Sequence, residues 1–273
     1  MGRVLSHTLV VAPGTQPRAR LFVLHGVFGA GRNWATVARR VTEARRDWGA
    51  VLVDLRLHGA SQGFAPPHTV AACADDLVAL AGAIDGSAHA VLGHSLGGKV
   101  ALAYLAARPP GLRQVWVVDA DPSPVEPRGD AWDLLRIIRA LPLEFHSRDD
   151  LVAGLGRAGV DRRTAEWMAT NLDHTQTGYR WRLDFFALEQ LLADFSRADL
   201  WHSVEQVPPG VELHFVKAAR SHVISERSLG RLGDIAGATG RVVVHEVEGG
   251  HWLNADNPDA IVALLGGRLP ECA

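Results

Sequence analysis

The 273 residues are long enough for one large domain or two small ones, and 47% hydrophobic with 21% charged residues is the balance of an ordinary globular protein. A net charge of −2 gives no electrostatic reason to expect nucleic acid or an anionic membrane as partner. Two cysteines exclude a disulfide framework and fit a reducing, cytoplasmic setting; the first residues lack a long apolar core, and no later stretch reaches the ~18 uncharged apolar residues of a spanning helix.

In chain order, Val4 to Val11 and Leu21 to Leu24 read as short strands around the turn cluster Pro13-Gly14-Thr15-Gln16-Pro17, and they are expected to pair with each other at a sheet edge. His25-Gly26-Val27-Phe28-Gly29 follows, and Asn33 is expected to cap a helix running through Trp34 to Arg45. Arg39-Arg40 and Arg45-Arg46 read as the solvated face of that helix. Ala50 to Leu55 is the next strand, Thr69 to Ile84 a helix, Ala88 to Leu92 a strand, and a further helix runs to Ala107 before Pro109-Pro110-Gly111 stops it. Gln114 to Val118 is a strand ending at Asp119-Ala120-Asp121.

Short, nearly continuous apolar strands alternating with helices predict an α/β fold with a mostly parallel sheet covered on both faces. Chemistry in such sheets gathers beyond the carboxyl ends of the strands, where His25, Asp54, Ser95 and Asp119 stand. The alternation then breaks, and residues 123–209 show only helical patterns, at Asp130 to Leu141, Ser147 to Ala158, Asp161 to Leu172 and Asp184 to Trp201, each with a Ser or Asp as prospective cap. This stretch reads as a helical cap inserted between a first core part, residues 1–122, and a second, residues 210–273. Val211 to Val216 and Arg241 to Val247 resume the strands, with helices near Glu226 to Ala236 and Pro258 to Leu265.

The chemistry centres on Gly93-His94-Ser95-Leu96-Gly97, a G-x-S-x-G pentapeptide between a strand and a helix. There it predicts a nucleophile elbow, a turn so sharp that it exposes one serine hydroxyl at its tip. Gly93 to Lys99 also fits a phosphate-binding loop, but Val100 stands where that motif needs Ser or Thr for magnesium. A serine needs an imidazole to take its proton and a carboxylate to orient the ring. His251, the last histidine, follows a late strand through Glu248-Gly249-Gly250 and is the candidate base. For the acid, the loop after Val216 has no carboxylate before Glu226, while the strand after the elbow helix ends in both Asp119 and Asp121; the residues alone leave these three open. The oxyanion donors expected are the N–H groups of Leu96 and Val27. His245-Glu246 lacks a second histidine at the spacing of a zinc helix, and no metal or other cofactor is expected.

LHGVFGAGRNW, VDLRLHGAS, LGHSLGGKVA, VVDADPSPV, the region from Asn171 to Leu188 and EGGHWLNADNP together resemble the α/β-hydrolase subfamily of the bacterial YbfF-type esterases and their mitochondrial abhydrolase relatives. The resemblance covers most of the chain in the family's order. It implies an α/β-hydrolase fold with a helical cap, carries the acid's role to Asp119, puts Ser221 in the later loop as an assisting hydroxyl, and matches Lys99 to the lysine after GHSxGG. Relatives usually carry a single Asp followed by an apolar residue and Ser or Ala where this chain has Asp119-Ala120-Asp121. The implied activity is hydrolysis of short to medium acyl esters or thioesters, with a small-molecule partner. A perhydrolase or carbon–carbon bond hydrolase would use the same triad, and a non-catalytic ligand-binding module is the alternative of another class. Trp132, Phe145, Trp167, Trp181, Phe185 and Phe186 are candidate walls for an acyl or aryl group.

Overall fold

A computed structural model describes residues 3–84 and 88–272. The first half alternates as expected: β1 (His7–Val10), β2 (Ala19–Leu24), α1 (Ala35–Ala44), β3 (Trp48–Val53), α2 (Val70–Ala83), β4 (Ala90–His94), α3 (Leu96–Ala106) and β5 (Gln114–Val118). The inserted stretch holds α4 (Asp130–Ala140), β6 (Glu144–Phe145), α5 (Arg148–Arg157), α6 (Arg162–Met168), β7 (Leu172–Thr175), β8 (Gly178–Trp181), α7 (Phe185–Arg197) and α8 (Trp201–Glu205). The sheet then resumes with β9 (Glu212–Ala218), α9 (Glu226–Thr239), β10 (Val242–Val247), α10 (Leu253–Asp256) and α11 (Pro258–Arg268).

Seven strands form the main sheet in the order β1-β3-β2-β4-β5-β9-β10. All pairs are parallel except β1 with β3. This corrects the expected edge pair: β1 bonds β3, and β2 lies inside the sheet between β3 and β4. A strand as apolar as Ala19–Leu24 is buried on both faces, which only an interior position provides. Phe22, Leu24, Val51, Val53, Val91, Val115 and Val117 pack on one face with residues of α2 and α3. Leu21, Val23, Ala50, Leu52, Leu92 and Trp116 pack on the other with α1 and α11.

Local chemistry sets the helix starts. Thr69 accepts from Ala72 N at 3.0 Å to cap α2, and Ser147, Asp161 and Asp184 cap α5, α6 and α7. Asp130, by contrast, is already the first helical residue of α4, behind Gly129. Asn33 does not cap α1. Its Oδ1 accepts from Ala30 N at 2.7 Å and closes a 3₁₀ turn over Gly31–Trp34, after which α1 begins. Arg45 is not solvated either, because its guanidinium pairs with Asp47 at 2.9 Å and donates to the Leu269 and Pro270 carbonyls.

The inserted stretch is not purely helical. β6, β8 and β7 form a small antiparallel sheet in that order, with β7 and β8 joined across residues 176–177. The single helix expected from Asp184 to Trp201 is two, α7 and α8, separated at residues 198–200.

Candidate active site

The carboxyl edge of the sheet gathers the candidate residues. His94 lies opposite Val118, so Ser95 and Asp119 leave adjacent parallel strands at the same level. Ser95 N–H donates to Val118 O at 3.0 Å, and Asp119 N–H donates to Val216 O at 2.8 Å. Both residues hold φ values that L side chains rarely adopt, 53° for Ser95 and 47° for Asp119.

The two glycines of the pentapeptide explain how so tight a turn closes. A Cβ on Gly93 would lie 1.9 Å from Gly97 O, and one on Gly97 would lie 2.7 Å from Leu24 O. Neither position has room for a side chain. Ser95 is left half-buried amid fully buried neighbours. Leu96 opens α3, so its N–H has no acceptor within the helix.

His251 reaches this edge from the loop after β10. Its Nδ1 bonds Asp119 Oδ2 at 2.7 Å, and the ring is about one-third exposed (32%) while Asp119 is fully buried (0%). Ala218 N–H donates to Asp119 Oδ1 at 3.2 Å. Burial alone would raise the Asp119 pKa, but hydrogen bonds from His251 and Ser221, the His251 charge and the Ala218 N–H together hold it below the ordinary carboxylate value. Ser221 is buried, and its Oγ also accepts from Val223 N–H at 3.2 Å.

The rival carboxylates are engaged elsewhere. Asp121 Oδ1 accepts from Ser123 N and Ser228 Oγ, each at 2.8 Å, and Oδ2 accepts from Ser225 N at 3.0 Å and Ser225 Oγ at 3.1 Å. Glu226 is exposed in the first turn of α9. Of the three, Asp119 is the one bonded to His251.

Neutral histidines frame the site. His94 Nε2 donates to His251 O at 2.7 Å, and the two rings lie 4.6 Å apart, which sets the imidazole of His251 beside the elbow. Burial, then the nearby His251, lowers the His94 pKa to about 3. His25 Nε2 accepts from Leu55 N–H at 3.0 Å, and burial lowers its pKa to about 4. His58 is lowered to about 3 by burial and then by His25.

The loop after β2 touches the serine. A Cβ on Gly26 would meet Ser95 Cβ at 3.4 Å, so the backbone carrying Val27 lies against the elbow. Gly29 N–H donates to Gly26 O at 3.0 Å, closing a turn in which Phe28 holds φ 61°. Asn171, buried in the inserted stretch, donates from Nδ2 to Phe28 O at 2.9 Å. Arg32 donates to Thr170 O at 2.8 Å beside it. The residue types gave no signal for this anchor, although Asn171 opens one of the resembling stretches.

The six aromatic candidates separate. Trp167 packs on Trp252, the neighbour of His251, with ring centres 4.8 Å apart. Arg163 supports that contact by lying over the Trp252 ring and bonding Asp256 at 2.9 Å. Phe145, Trp181 and Phe185 pack edge-to-face on one another at 5.9 and 5.5 Å, and Trp132 bonds Ser196 Oγ at 3.3 Å. Phe186 is 69% exposed, so it is a surface residue rather than a pocket wall. Among the described residues no group of three or more His, Cys, Asp or Glu is arranged to hold a metal ion, and no helix is long and apolar enough to cross a membrane. His245 lies on strand β10.

A mostly parallel sheet with a strand-to-helix elbow and a carboxylate–imidazole pair at its carboxyl edge defines the α/β-hydrolase class of protein. The chain belongs to the alpha/beta hydrolase family, whose model matches residues 21–264. It is similar to Esterase YbfF of Escherichia coli, 25% identical over 271 residues that cover 92% of this chain and 93% of the relative. It is also similar to the sn-1-specific diacylglycerol lipase ABHD11 of Danio rerio, 22% identical over 264 residues covering 94% and 81%. Among solved structures, a marine microorganism esterase shares the fold with a TM-score of 0.81 at 21% identity, covering 95% of this chain and 97% of that one.

Proposed function

We propose that the protein is a carboxylesterase-type serine hydrolase, acting on esters or thioesters of short to medium acyl chains. The observation that carries this reading is the 2.7 Å bond between buried Asp119 and His251, set beside a serine held at φ 53°. In this reading Ser95 Oγ attacks the substrate carbonyl as His251 Nε2 takes its proton. The N–H groups of Leu96 and Val27 hold the oxyanion that forms. Collapse expels the alcohol or thiol, protonated by His251, and leaves an acyl group on Ser95. Water then attacks that ester, again with His251 as base, and frees the acid.

Asp119 keeps the His251 proton on Nδ1, leaving Nε2 free to accept, and stabilises the imidazolium that each attack creates. Ser221 supports the carboxylate. Residues 123–209 form a cap over the core made by residues 1–122 and 210–273, with Trp167 as the aromatic wall nearest the His251 loop. Its contact with Trp252 supports that choice. The relatives named esterase and lipase support ester chemistry. A cytoplasmic setting, suggested by two free cysteines, belongs to the same proposal. Turnover of p-nitrophenyl esters of graded acyl length tests the reading: hydrolysis lost on Ser95→Ala supports it, and hydrolysis that survives the substitution refutes it.

A further inference from the structure

Lys99 is fully buried (0% exposed), one helical turn beyond Ser95 on α3. Its Nζ donates to three backbone carbonyls, those of Ser123 at 2.7 Å, Phe195 at 2.9 Å and Ala198 at 2.9 Å. It also lies 4.8 Å from the centre of the Phe195 ring. An ammonium group has three N–H donors and no lone pair, whereas a neutral amine has two donors and a lone pair that repels a carbonyl. Three converging acceptors therefore match the charged form. Burial lowers the pKa to about 8 while Asp121, Asp199 and Asp194 oppose the fall, so the ammonium persists at neutral pH.

The positions of the acceptors matter more than their number. Ser123 lies just beyond β5, where the chain leaves the sheet; Phe195 lies in the last turn of α7 and Ala198 between α7 and α8, on the way back to β9. The two connections are bonded to each other as well, Val125 N–H to Ser196 O at 2.8 Å and Leu200 N–H to Pro122 O at 2.9 Å. Trp201 Nε1 donates to Ser123 Oγ at 2.8 Å across the same crossing. The stretch between them, residues 126–194, joins the rest of the chain through this paired crossing. One buried ammonium, rooted on the helix that follows Ser95, bonds both segments of the crossing.

We propose that Lys99 is a positioning residue that pins this hinge to the elbow helix, fixing how closely the inserted stretch stands over Ser95 and hence the acyl length admitted. The proposal rests on Ser95 being the nucleophile. A lysine that only stabilised the fold would, on replacement, lower activity toward every ester alike. A hinge pin would change selectivity, because a loosened wall admits longer chains.

Lys99→Met keeps the stem and removes the donors. The variant should raise the ratio of kcat/KM for p-nitrophenyl octanoate over p-nitrophenyl acetate by about tenfold, the scale on which pocket walls discriminate chain length. Hydrogen exchange should speed up at the Val125 and Leu200 amides by a similar factor while the Val117 amide in the central sheet stays protected. An unchanged or lowered ratio, or unchanged exchange at the two hinge amides, overturns the proposal. Should Lys99→Met not fold, the wild-type protein still decides: the hinge amides should exchange as slowly as Val117, and exchange at open-chain rates overturns the pin. Exchange is read without substrate, so absence of ester turnover in the wild type would refute the serine reading separately.

Discussion

Asp119 and His251, 132 residues apart in the chain, meet through a single 2.7 Å hydrogen bond at the carboxyl edge of the sheet. The carboxylate is fully buried and the imidazole is about one-third exposed, so one partner is fixed by the core while the other is open to solvent. The proposed mechanism needs that asymmetry, since the acid orients and the base must reach a substrate.

Asp119→Asn keeps the shape and removes the charge. It should lower kcat by about 10³–10⁴-fold, as an amide at this position favours the wrong imidazole tautomer, with the thermal midpoint little changed. Asp121→Asn is the contrast. It weakens the Ser123, Ser225 and Ser228 contacts and should lower stability while costing far less turnover, both read from esterase kinetics and a melting curve.

Asn171 reaches from the inserted stretch to Phe28 O and holds the turn that carries Val27. Asn171→Ala frees that turn without touching Ser95, Asp119 or His251. The expected result is a fall in kcat of roughly tenfold to a hundredfold, the scale on which misplacing an oxyanion donor acts, with KM little changed. A rise in KM at constant kcat would assign Asn171 to substrate binding instead.

Acid should unfold the protein through its buried histidines. Burial lowers the pKa of His25 from 6.5 to about 4 and those of His58 and His94 from 6.5 to about 3. In that window the unfolded chain takes up protons that the folded protein refuses, so stability is full above pH 6.5 and is lost as pH falls toward these values. Each shift corresponds to about 3–5 kcal/mol, against a typical total of about 5–15 kcal/mol. Melting temperatures across this range should fall steadily below pH 6.5; a flat profile down to pH 4 would contradict the burial of the three rings.

Gly97→Ala should be among the most damaging single substitutions, because the added methyl meets Leu24 O at 2.7 Å and His25 O at 2.8 Å, both backbone atoms that cannot swing away. The expected readout is loss of soluble protein or a melting point lowered by many degrees. Gly156→Ala, with open space around the new methyl, is the control.

The parallel sheet was legible in the sequence because strands such as Trp48–Val53 are buried on both faces and read as unbroken apolar runs. The elbow was legible because its glycines are a steric requirement. Pairing was less so. Nothing in His7–Val10 says whether it bonds the next strand or the one after, since that depends on where the interior place in the sheet falls. The small sheet of β6, β7 and β8 was hidden for another reason: its strands are two to four residues long, too short to show an alternation of their own. Asn171 and the hinge around Lys99 join parts of the chain distant in sequence, and such contacts leave no local pattern.

Ser95 is proposed as the nucleophile. Incubating the protein with a fluorophosphonate probe and mapping the adduct by mass spectrometry tests it directly. One adduct is expected, on the peptide containing Ser95, abolished by Ser95→Ala and strongly slowed by Asp119→Asn. Ester turnover with no labelling of Ser95, or labelling that persists in Ser95→Ala, would contradict it.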